Sequence, residues 1–149
     1  MERTQDRRVE KTWRLLEGAL LAALREGQHE ARSRGSGPDE RLFAFSRHLL
    51  AHAFEHRDIF PAMSSKRGGA LIQQLMRNLL LKVVREDVKA MTLQARNQSA
   101  PLEASAQFIA GGLFGLLMWW LSGKMRLSVE EVDGAFRRLA IPALKAAAR

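Results

Sequence analysis

Cysteine is absent from the 149 residues, so neither disulfides nor thiolate metal sites contribute, which suits the reducing cytoplasm where we expect the protein to act. Tyrosine is absent too. The opening MERTQDRRVEKTW is charged and lacks a small-residue cleavage site, so no secretory leader is expected. Strand alternation, internal repeats and long low-complexity tracts are also missing. No Ser/His/acid set, phosphate-cradling loop or metal-hydrolase motif appears, and Arg67–Ala70 (RGGA) lacks the preceding strand a nucleotide site needs. Glu86 and Asp87 are neighbours on a helix and therefore diverge. These absences argue against an enzyme, and neither a cofactor nor a metal is expected.

What is present is positive charge, a formal +8 with a pI near 11.0. Such a balance raises the prospect of a nucleic-acid or anionic-membrane partner. Of 24 Lys/Arg and 16 Asp/Glu, residues 1–41 hold nine and eight, leaving fifteen and eight for residues 42–149. The excess is thus spread over several helices, as on a solvated surface.

Apolar spacing predicts five helices around one core. The first covers about residues 6–27, with Val9, Trp13, Leu16, Leu20 and Leu24 on one face and Gly27 as its stop. A Gly- and charge-rich linker, 28–40, follows. The second runs from an Asp39 cap to Phe60, ahead of Pro61, and gathers Phe45, Leu49, His52, His56 and Phe60 in one arc. The third extends from Arg67 towards Leu93 with Ile72, Leu75, Met76, Leu79 and Val83 on one side. The fourth, from Pro101 to Ser122, holds the apolar run FIAGGLFGLLMWWL. The fifth opens with a capping box, Ser128 and Glu131, and presents Val132, Phe136, Leu139 and Ala143, while Pro142 should bend or fray its last turn.

Three stretches carry a resemblance: RLFAFSRHLLAHAFEHRDIFPAM, RGGALIQQLMRNLLLKVV and FIAGGLFGLLMWWLSGKMRLSVEEVDGAFRRLA. Together they resemble the C-terminal domain of TetR-type (TetR/AcrR) transcriptional repressors. The most diagnostic piece is the last, a glycine-containing apolar helix ending in Trp-Leu, a short turn with glycine, then a Ser-capped acidic helix start. RRVEKTWRLLEGALLAALREG is similar to the first helix of that family's DNA-binding head. The resemblance implies an all-α fold, a five-helix bundle whose last two helices form an intermolecular four-helix bundle. It divides the chain into a first helix (1–27), a linker where the helix-turn-helix would be (28–40), and a ligand-binding and dimerisation domain (41–149). Between Gly27 and Arg41 two helices and a turn do not fit, and no position matches the family's DNA-contacting residues.

The expected function is therefore a truncated TetR-type regulator: a homodimer that binds a small apolar effector and has little or no sequence-specific DNA binding. The alternative is an interaction protein that pairs with a full-length relative and weakens its hold on DNA. Expected effector-site residues are Phe45, Leu49, His52, His56, Leu75, Leu79 and Trp119. Expected interface residues are Phe108, Gly112, Gly115, Trp120, Phe136 and Leu139. His48, His52 and His56, at i, i+4 and i+8, permit metal ligation by spacing, yet a packed helix face explains them without a metal. The uncharged stretch Ala104–Gly123 is long enough to span a bilayer, but four soluble-looking amphipathic helices around it favour a buried intermolecular helix and no membrane partner.

Overall fold

A computed structural model describes residues 2–35, 37–59, 61, 66, 68–92, 101–123 and 126–147, and among these it contains helices and turns but no strand. Phe60, Arg67 and Leu93, named above, lie outside the described residues. The helices are α1 (Glu2–Ser33), the single turn α2 (Pro38–Arg41), α3 (Ser46–Glu55), α4 (Gly69–Thr92), α5 (Leu102–Ser122) and α6 (Val129–Ala147), with a 3-10 turn at Arg57–Ile59.

Neighbours in space differ from neighbours in sequence. Round the core the order is α1, α3, α6, α5, α4 and back to α1. This closed ring buries Leu20 and Ala23 of α1 together with Leu49, Met76, Leu80, Val84, Leu113, Phe136 and Leu144 in one cluster. A smaller cluster of Leu50, Leu117, Trp120 and Val132 lies alongside it. The first helix is thus a wall of the same core.

Gly27 is not a stop, because α1 continues to Ser33. It is instead the closest approach of α1 to the chain entering α3, where a Cβ would overlap the carbonyl of Ala44. The expected continuous helix from Asp39 to Phe60 is broken. Phe43, in the turn between α2 and α3, sits at φ +55°, a left-handed conformation that bulky residues avoid.

At the other end, Ser128 Oγ accepts the Glu131 N–H at 3.1 Å and starts α6 where the capping pattern places it. Pro142 neither stops nor shortens α6, which runs on to Ala147. Arg85 and Glu103 make two hydrogen bonds, Nε to Oε2 at 3.0 Å and Nη2 to Oε1 at 2.8 Å, which tie α4 to the first turn of α5. That pairing raises the Arg85 pKa and lowers that of Glu103.

Candidate functional site

An apolar pocket opens where α3 crosses its neighbours. Leu15, Leu16 and Ala19 of α1 form one side, Leu49, His52, Ala53 and His56 line the α3 side, and Met76, Leu117 and Leu121 close the floor. The wall is thus aliphatic except for two imidazoles. Enclosed space is about 30 Å³, well below the roughly 150 Å³ that admits a benzene-sized ligand. A ligand of that size enters only if α1 or α3 gives way.

Of the expected effector residues, Leu49, His52 and His56 come together at this pocket. Phe45 is consumed by the core. Leu75 is half-buried and Leu79 packs against the core from the side, so neither lines the pocket. Trp119 is exposed on the far side of α5. The α1 leucines and Met76, Leu117 and Leu121 replace them. Leu117 and Leu121 are an i, i+4 pair, and that spacing was the available signal for the floor.

The histidines face acidic groups. His48 lies between two carboxylates of α1, with Nδ1 3.1 Å from Glu26 Oε2 and Nε2 2.7 Å from Glu30 Oε2. The hydrogen bond with His48 holds the Glu30 carboxyl below its usual range, helped by the charge of Arg34. One turn on, His52 has Nε2 3.7 Å from Glu26 Oε1 and Nδ1 3.8 Å from Glu55 Oε2. Glu30 reaches His48 from helix α1 only because α1 continues through Gly27.

A polar cleft on the same side is bounded by Glu30, Arg34, Arg47, His48, Asp133 and Arg137 among others. Its charges are largely engaged. Arg34 pairs with Glu30 at 2.6 Å, Arg47 with Glu130 at 3.2 Å, and the Ser46 hydroxyl donates to Asp133. Among the described residues no buried side-chain nitrogen or oxygen lacks a hydrogen-bond partner.

The expected interface residues divide into two groups. Phe108 (72% exposed) and Leu139 (72%) stand open on adjacent α5 and α6, and Trp119 (59%), expected in the effector site and not at the interface, stands open with them. Gly111, Gly112 and Gly115 lie bare among them, with open space where a Cβ would point. Trp120 and Phe136 do not belong to this face. Trp120 is 2% exposed, stacked on Phe54 with ring centres 6.0 Å apart, and donates its indole N–H to the Leu127 carbonyl at 3.0 Å. Phe136 is 4% exposed and packs edge-on against Phe43 at 5.5 Å. Adjacent tryptophans diverge by about 100° on a helix, and the inward one is Trp120.

Residues 40–141 match a family model described as the C-terminal region of transcriptional regulators, of the TetR type. No curated protein and no solved structure matches the chain.

Proposed function

Since the chain belongs to the TetR-type transcriptional regulators by their C-terminal region, we propose that it is a cytoplasmic regulatory module that takes a small apolar effector beneath α3 and homodimerises through α5 and α6. The observation carrying the effector reading is the aliphatic pocket with His52 and His56 as its polar anchors. Its small volume makes ligand entry and helix displacement one event. A ligand that binds the opened form better shifts the population towards it, which is what a regulatory signal requires.

A panel of apolar ligands should raise the melting temperature, and Ala53→Leu, which fills the pocket, should reduce the shift. A parent that responds to no member of the panel, or a variant that responds equally, overturns the effector site.

The reading of residues 28–40 as too short for a helix-turn-helix is supported by α1 running unbroken to Ser33, with only the single turn α2 before the core resumes. Contact with DNA then rests on phosphate attraction. Binding should be weak, indifferent to sequence and steeply dependent on salt. Fluorescence anisotropy with random and palindromic duplexes at physiological salt tests this, and sub-micromolar preference for one palindrome would contradict it.

A further inference from the structure

His52, Glu55 and His56 end α3 at the mouth of the apolar pocket, and one ligand atom from each lies within 4.8 Å of the others. We infer that these three residues bind a divalent transition cation of the zinc class. Two imidazoles and one carboxylate are a donor set that suits zinc, with a fourth position left for water or a ligand atom. His56 caps α3 with its N–H still on the His52 carbonyl at 3.0 Å. His52, Glu55 and His56 therefore keep the i, i+3, i+4 spacing that sets Glu55 and His56 both beside His52 on the helix surface.

Two features of the surroundings favour a cation here. The His52 ring has Nδ1 turned towards Glu55 and Nε2 towards Glu26 of α1, at 3.8 and 3.7 Å. With a metal on Nδ1, Nε2–H faces a carboxylate, the arrangement that orients metal-bound histidines and raises their basicity. The carbonyls ending a helix also carry partial negative charge, which a cation at the C-terminus of α3 complements. Arg57, the nearest following cation in sequence, lies over the Phe54 ring at 4.5 Å and donates to the Phe54 carbonyl at 2.8 Å. Arg57 thus already complements part of the α3 C-terminal charge.

Bound metal joins the end of α3 to α1 through Glu26, whose second oxygen is 3.1 Å from His48 Nδ1. Those two helices also form opposite sides of the pocket. The open coordination position lies beside an aliphatic cavity, so it suits a ligand with an apolar body and a single oxygen or nitrogen donor. The metal site shares His52 and His56 with the pocket, but its test is separate from the effector reading because metal binding is measured with no organic ligand present.

Isothermal titration of the metal-free chain with zinc, and visible absorption after addition of cobalt, test the site without any organic ligand. One equivalent of zinc should bind in the micromolar range, and cobalt should give the bands of a four-coordinate N,O site. Glu55→Gln and His56→Gln alter exposed side chains and should leave the circular dichroism melt of the metal-free chain unchanged. Each should weaken zinc by about tenfold or more, whereas His29→Gln, away on α1, should not. Affinity no better than millimolar in the parent, or affinity that survives both substitutions, overturns the inference.

Discussion

Phe43 shows how one strained residue is held. It is fully buried at φ +55°, a conformation that costs an L-residue of this size about 1–2 kcal/mol. Three bonds secure it. Asp87 accepts its N–H at 3.2 Å, and Arg137 Nη1 donates to the carbonyls of Leu42 and Phe43 at 2.7 and 3.3 Å. Burial pushes the Asp87 carboxyl up to about 6, against the opposing effect of the Phe43 N–H. With the folded value above the unfolded ~3.9, the native state holds the extra proton between about pH 4 and pH 6. This group's stabilisation is therefore present at the acid end and lost as pH rises through about 6. Asp87→Asn keeps an acceptor for Phe43 and removes the titration. Urea unfolding at pH 4 and pH 7 should show the parent losing about 2–3 kcal/mol relative to the variant between those values. Parallel pH profiles would mean that Asp87 is solvated in the native state.

At the scale of helices, two glycines in α1 look alike in sequence and differ in packing. A methyl group at Gly27 runs into the Ala44 backbone, whereas Gly18 has open space. Gly18→Ala should stabilise by about 0.5–1 kcal/mol through helix propensity. Gly27→Ala should destabilise by about 1–3 kcal/mol, because the α1–α3 crossing must open. Thermal melts of the two variants decide, and shifts of the same sign would remove the special role of Gly27. The same pair shows what was legible beforehand. Periodicity gave α1, α4, α5 and α6 because each has a local pattern, and the Ser128 cap placed the start of α6. The length of α1 and the break before α3 were not legible, since both depend on contacts between residues far apart: Gly27 on Ala44, Phe43 on Asp87 and Arg137. For the same reason the histidine arc was visible in the sequence, but its α1 carboxylate partners were not. Of the pocket only Leu49, His52 and His56 on α3 were named beforehand, while Glu55 was not and no metal was expected.

At the scale of the whole molecule, the three most exposed large apolar side chains among the described residues, Phe108, Trp119 and Leu139, all lie on α5 and α6. α5 is long and apolar enough by composition to cross a bilayer. One side of it is spent on the core through Ile109, Leu113, Phe114, Leu117 and Trp120. The other side carries Phe108, Trp119 and the bare glycines, beside Leu139 of α6. A two-fold axis between α5 and α6 would place this face against its own copy, with the glycines allowing close backbone approach, in a four-helix bundle burying about 2,000 Å². The divergence of the tryptophans makes the proposal specific. Trp119→Ala should weaken the dimer by about 2 kcal/mol, roughly thirtyfold, as for a central aromatic anchor, with little change in helix content. Trp120→Ala should instead lower the stability of the subunit itself by about 3–5 kcal/mol, since it empties a stacked and hydrogen-bonded core position. Gly115→Arg should leave monomers by placing a charged side chain in the seam. Light scattering at micromolar concentrations, read beside denaturant unfolding, separates these effects. A parent that stays monomeric, or a Trp119→Ala variant that dimerises as tightly as the parent, would mean that the exposed side of α5 meets something other than its own copy.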